Sequence, residues 1–373
     1  MNFAFSPAEE DFRREVRGFL EEYRDLDGYF CQGHCWPQVK ALFQAMSERG
    51  WLALTWPESV GGLAASAAYE FLLWDEVAYA RAARNPLAAG IVARSLIRHG
   101  TQAQQAEWLP PIRSGGLHFS LAYSEPEAGS DLASLRTRAE RRGDHYIVTG
   151  QKIWQSYAQD MDCLWLLCRT GAPDSRSKGL SLLIVDKQAP GVTLSPHPTL
   201  DGDQLNEVHF DAVEVPVANR VGPENGAWKL MSEALADERH IQFPPGRVRR
   251  DMQEMLEWIR EQGLDRDPVV ATRMGDLMVR ALEVEMHGLQ VLDAMLKGRP
   301  AVVEAAANKV VHTVVCQQIA RAVLDLGGPE ALVANARPAQ LWCQSLWETI
   351  GGGTSEVMRG VVARQGLGLG GRA

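Results

Sequence analysis

Apolar residues recur at helical spacing near both ends of the chain and at every second position in between. Up to about residue 120 the pattern is helical. Phe12, Val16, Phe19 and Leu20 form a stripe behind Ser6-Pro7-Ala8-Glu9-Glu10, where Ser6 suits a cap, Pro7 a first turn and the two acids the helix dipole. Residues 69–80 and 87–100 read as further helices, while Leu42, Met46 and Trp51 precede the turn Trp56-Pro57-Glu58-Ser59-Val60-Gly61-Gly62. Leu109-Pro110-Pro111-Ile112 and Ser114-Gly115-Gly116 lead out of this region. From about 121 to 225 the period drops to two. Strands are expected at 133–141 and 145–153, joined by Arg142-Gly143-Asp144, then at 164–168, 180–185 and 208–210. Helical spacing returns at 228–242, 248–262, 268–297 and 301–326, with a last helix after Gly353. Pro244 and Pro245 should stop or kink the first of these one turn past Glu238. The expected fold is α+β in three parts: an N-terminal helical domain (1–120), a middle β domain (121–225) and a C-terminal helical bundle (226–373). The glycine-rich end, 366–373, is expected to fray.

The chain's 373 residues are enough to bury a large core, and 46% apolar with 23% charged content is that of an ordinary globular protein. A net charge of −9 argues against nucleic acid or an anionic membrane as a main partner. No apolar run approaches a membrane span, and the first residues carry acids where a signal would carry bases, so a cytoplasmic protein is expected. Six cysteines (Cys31, Cys35, Cys163, Cys168, Cys316, Cys343) are scattered among unlike segments. His34 lies between Cys31 and Cys35, but no second pair completes a zinc pattern, and reduced thiols are the expectation, with no metal.

Chemistry concentrates between Leu121 and Ser156. Ser124-Glu125-Pro126-Glu127-Ala128-Gly129-Ser130-Asp131 is a turn-forming run, and the second strand ends in Trp154-Gln155-Ser156. Small hydroxyls, a glycine and an indole suit a planar, phosphate-bearing aromatic cofactor. Turn chemistry with a single Trp, taken alone, is more often a plain hairpin with a core aromatic. The run resembles the T/S-E-P-x-A-G-S-D signature of acyl-CoA dehydrogenases, and Gly150-Gln151-Lys152-Ile153-Trp154-Gln155-Ser156 resembles their G-x-K-x-W-I-T/S. Gly50 to Gly62, His99-Gly100-Thr101, Asn206 to Asp211 and Val215-Pro216 also match the family, so the resemblance covers nearly the whole chain.

That resemblance implies FAD, bound between the β domain and the C-terminal helices, and an acyl-CoA whose α proton is removed while the β hydride goes to the flavin. Cofactor contacts are implied at Leu121, Tyr123, Ser124, Gly129, Ser130, Trp154, Ser156, Thr354 and Glu356, where Gln is common in place of the last. Many members carry the base in E-G-T before the last helix. Gly352 stands there in this chain, which leaves its backbone N–H for the thioester oxygen. A second subgroup, with isovaleryl- and long-chain-type enzymes, places Glu before Arg on an earlier helix, and Glu238-Arg239 occupies that spot. Arg239 matches an arginine lining the thioester tunnel. Met231, Leu235 and Glu238 fall on one helical face, where burial would raise a carboxyl's pKa towards that of a base. An ion pair with Arg239 or Arg247 is the alternative. Two motifs depart from the family. Q-x-x-G-G-x-G, which in the family helps a neighbouring subunit hold FAD, reads Leu324-Asp325-Leu326-Gly327-Gly328-Pro329-Glu330 and leaves Gly327 and Gly328 as the implied cofactor contacts, and R-x-x-F-G is replaced by Asp265-Arg266-Asp267-Pro268, with Arg273 as a substitute phosphate ligand. The implied partners are an electron-transfer flavoprotein and further subunits, as a homodimer, homotetramer or α2β2 heterotetramer. The same fold as a flavin monooxygenase, a desulfinase or a scaffold subunit is the rival reading.

Overall fold

Ser6 starts the first helix as its sequence requires: Glu9 N–H donates to Ser6 Oγ at 3.3 Å and Ser6 N–H to the Glu9 carboxylate at 2.6 Å. In this computed structural model residues 4–24, 26–30, 33–334 and 336–370 are described, apart from the side chains of 235–240. Cys31 lies outside them. Contacts gather the chain into two compact units, one of Met1–Phe30, Ser66–Arg84 and Arg239–Ala373, the other of Cys31–Ala65 and Asn85–Glu238.

The second unit is built on a sheet. Its strands are β1 (Phe119–Ala122), β2 (Arg138–Arg142), β3 (His145–Ser156), β4 (Cys163–Arg169), β5 (Leu180–Asp186), β6 (Val192–Pro198), β7 (Gln204–Pro216) and β8 (Arg220–Val221). They run in the order β6-β7-β3-β2-β4-β5-β8, with β1 paired parallel to β4. Tyr146, Val148, Leu164, Leu166, Val208 and Phe210 point into its core. The unit also holds α2 (Trp36–Glu48), α4 (Ala93–His99) and α5 (Gln102–Arg113), together with most of α6 (Ala227–Gln242).

The first unit is helical: α1 (Pro7–Leu20), α3 (Ala67–Tyr79), α7 (Pro245–Glu261), α8 (Pro268–Leu296), α9 (Val302–Ala331), α10 (Arg337–Glu348) and α11 (Ser355–Val361). Phe71, Leu72 and Leu292 pack together, with Phe5 and Phe12 of the N-terminal segment against them. A buried charge network runs beside this core. Arg247 meets Asp251 and Glu348, each at 2.8 Å, and Arg81 meets Asp251 and Glu254 at 2.8 Å. Phe30 offers its ring to both guanidinium groups, at 4.3 and 4.4 Å. Burial opposes the charge on Glu254, but Arg81 and Arg337 outweigh it and hold the carboxyl down to about 2. Donor atoms of His312, Cys316 and Glu348 lie within 4.8 Å of one another. Arg247 already holds that carboxylate, and burial with Glu348 lifts the Cys316 thiol well above its ordinary value, so the cluster belongs to the same network.

One sequence expectation is corrected and two helices are added. The strand expected from 133 begins at Arg138. Leu132–Ser134 is a helical turn, and the Glu125 carboxylate captures the N–H groups of Arg136 and Thr137, at 2.6 and 2.8 Å, before they can join a ladder. Helix α5 was not expected; it runs through Pro110 and Pro111, and Thr101 and Gln104 start it with a reciprocal capping box. Helix α10 escaped the pattern because Gln344, Ser345 and Glu348 share its buried face with Leu341. The proline break after Glu238 stands as expected: α6 ends at Gln242 and α7 begins at Pro245.

Candidate active site

Lys152 organises the first part of the site. By strand alternation it shares the inward face of β3 with Tyr146 and Val148, and its side chain is fully buried. Its Nζ donates to Glu125 Oε1 and to the Tyr123 carbonyl, both at 2.9 Å. Ile153 N–H donates to the Ser124 carbonyl at 2.9 Å. The turn that starts at Ser124 is thus fastened to β3. Burial pulls the Lys152 ammonium below its ordinary value. Burial also opposes the Glu125 charge, but Lys152 and the captured N–H groups outweigh it and hold that carboxyl below the usual range.

Immediately after Lys152 the β3–β7 pairing slips, between Lys152 and Gln155. Inside this bulge Trp154 adopts φ +66°, a left-handed conformation that costs a bulky side chain strain. Even-numbered residues of β3 point inward before the bulge, yet Gln155 is buried after it and the Trp154 indole is 60% exposed. The bulge turns an aromatic that alternation would bury out towards solvent. Ser156 is exposed beside it, Leu121, Tyr123 and Ser124 are half-buried, and Gly129 and Ser130 are exposed. A side chain at Gly129 would meet no protein atom within 4 Å.

The helical unit holds the second group. Between α10 and α11, Gly352 and Gly353 take φ +67° and +90°, conformations that favour glycine. Thr354 caps α11, its Oγ1 accepting from Val357 N–H at 3.2 Å, while Glu356 is exposed on the first turn. Arg273 pairs with Asp325 at 2.8 Å on the surface. Gly328 kinks α9, with φ +60° and ψ −148°, and a Cβ on Gly327 would lie 2.1 Å from the Trp258 ring, so that position needs glycine for packing. Glu238 and Arg239 fall on α6, with their side chains outside the described residues. Arg247, the alternative partner for Glu238, is held by Asp251 and Glu348.

Sequence models of the acyl-CoA dehydrogenase N-terminal, middle and C-terminal domains match residues 6–116, 120–213 and 225–367. The chain belongs to the acyl-CoA dehydrogenase family. It is an oxidoreductase of that family and has its three-domain α+β fold. Acyl-CoA dehydrogenase FadE26 of Mycobacterium tuberculosis is 33% identical, with 99% of each chain covered. FadE29 of the same organism is 35% identical over 89% of this chain and 88% of the relative. Among solved structures, the Tcur3481-Tcur3483 steroid ACAD superposes with a TM-score of 0.92 at 30% identity, covering 100% of both chains. The ChsE4-ChsE5 complex from Mycobacterium tuberculosis gives 0.89 at 33% identity, again with 100% of both covered.

Sequence reasoning passed over Glu125 and Lys152 as mere members of a motif. A lysine on the apolar face of a strand demands a buried anion, and that signal was available.

Proposed function

We propose that this acyl-CoA dehydrogenase family member binds FAD and oxidises the α,β bond of an acyl-CoA thioester, with Glu238 as the base. The observation that carries the reading is the β3 bulge. It holds the Trp154 indole exposed, in a strained conformation, next to the fastened Ser124 turn, and this fits a flat cofactor better than a core hairpin. Ser124, Trp154, Ser156 and Thr354 would hold the FAD, which would supply a two-electron acceptor for the β hydride. Glu238 takes the α proton. The Gly352 N–H would donate to the thioester oxygen as negative charge develops there, and Arg239 matches the family arginine that lines the thioester tunnel. The sequence supports Glu238 through its spacing, which puts it on one helical stripe with Met231 and Leu235. Gly352, left-handed and without a side chain, offers no competing carboxylate.

Domain boundaries near 120 and 225, cytoplasmic location and electron transfer to an electron-transfer flavoprotein complete the reading. Among the described residues no helix is long and apolar enough to cross a membrane. Two structural relatives are named as pairs of different chains, one of them a steroid ACAD. Together with the altered Gly327-Gly328 segment, this favours an α2β2 assembly over a homo-oligomer, and a branched, cyclic or steroid-like acyl group over a short straight one.

The purified protein should show the visible absorbance of oxidised flavin, and an acyl-CoA with a bulky acyl group should bleach it anaerobically. A colourless protein that does not take up added FAD would favour a scaffold subunit instead. Trp154→Ala should weaken FAD binding to the apoprotein while its melting temperature stays near the parent's. Unchanged affinity would remove the indole from the cofactor site.

A further inference from the structure

The end of α6 and the glycine loop meet. A Cβ built on Gly352 would lie 3.2 Å from Gln242 Nε2 and 3.5 Å from Phe243 Cζ, so the amide and the ring edge stand against the point where a side chain at 352 would begin. Any L residue there would also be strained, because φ is +67°.

Both sides of this contact are fixed by one helix. On one side, Asn308 Nδ2 donates to the Phe243 carbonyl at 3.4 Å and His312 Nε2 lies 3.3 Å from the Pro244 carbonyl. The Phe243 ring stands edge-on to His312 at 5.5 Å. Burial lowers the His312 pKa to about 4, so the imidazole is neutral and has one N–H to give. On the other side, Lys309 Nζ donates to the Thr349 carbonyl at 3.1 Å and Gln317 Nε2 to the Ser345 carbonyl at 3.0 Å. Asn308, Lys309 and His312 occupy little more than one turn of α9, and all three are buried. Backbone carbonyls held in this way fix the chain on either side of the contact. Pro244 and Pro245 bring the chain to this point, because they end α6 at Gln242 and leave Phe243 in the link to α7.

We infer that Gln242 and Phe243 form the specificity-determining wall of the acyl site opposite Gly352, occupying the volume that a loop carboxylate would otherwise take. This deepens the dehydrogenase reading and rests on it. A neutral amide in that volume does not compete with Glu238 for the α proton. Its length and the adjoining ring set the width available to substituents near the reacting carbons. The substrate class this wall sorts is acyl-CoA thioesters that differ in bulk next to the α and β carbons.

The test uses the flavin-loaded protein and a panel of straight-chain, branched and ring-bearing acyl-CoAs, with kcat and KM measured for each. Gln242→Ala, which removes four heavy atoms from the wall, should raise the ratio of kcat/KM for ring-bearing over straight-chain substrates by about 10-fold or more. Gln242→Asn, which shortens the side chain by one methylene and keeps the amide, should shift the ratio the same way by less. Flavin content and melting temperature report whether each variant has folded. Parental ratios in both folded variants would overturn the inference while the dehydrogenase reading stands. A parent protein that no thioester bleaches would overturn both.

Discussion

Glu238→Gln is expected to slow flavin reduction by about two to four orders of magnitude, the usual contribution of a general base, with ligand binding retained. Glutamine keeps the shape and hydrogen-bonding capacity of glutamate but cannot accept the α proton. Rapid-mixing measurement of flavin bleaching under anaerobic conditions reads the loss directly, and near-parental reduction would leave the chain without its base. Sequence alone suggests that adding Gly352→Glu should restore part of the rate, since the family uses both carboxylate positions. The structure lowers that expectation. The left-handed φ of Gly352 and the Gln242 amide 3.2 Å from its Cβ position both resist a side chain. Rescue should therefore be weak, and it should improve when Gln242→Ala is combined with the new glutamate.

Lys152→Met should destabilise the protein by about 3–5 kcal/mol, the range seen when one partner of a buried ion pair is removed. The pair is deeply buried and only 2.9 Å apart, so Glu125 would keep its charge without its cation. Adding Glu125→Gln to Lys152→Met should recover much of the loss, because neither member is then left as an unpaired charge. Denaturant unfolding of the two single variants and the double variant forms a cycle that measures the coupling. Additive losses would mean that the pair does not hold the Ser124 turn to β3.

Much of this architecture was legible from periodicity. The switch from helical spacing to alternation near 121, and back near 226, marks where the sheet begins and ends. Ser6, Pro7 and Glu9 specify a helix start from local chemistry alone, and Pro244-Pro245 specify a stop. Elements were missed where tertiary contacts overrode local signals. Glu125 withdraws Arg136 and Thr137 from the strand, and the buried polar face of α10 disguises its apolar stripe. The motif residues at the site could be named from resemblance, but their arrangement could not. Nothing in Ile153-Trp154-Gln155 announces a bulge that turns the indole outward, because it arises from the slipped pairing with β7. Nor does the glycine run 351–353 reveal that Gln242 fills the space beside it.

Product analysis of a single anaerobic turnover tests the central claim most directly. The protein, carrying its flavin, is mixed with a bulky acyl-CoA and the thioester is weighed by mass spectrometry. The account predicts a product lighter by two hydrogens, an enoyl-CoA, formed in equal amount to the flavin reduced. An unchanged thioester beside oxidised flavin, or in air a product that has gained oxygen, would contradict it.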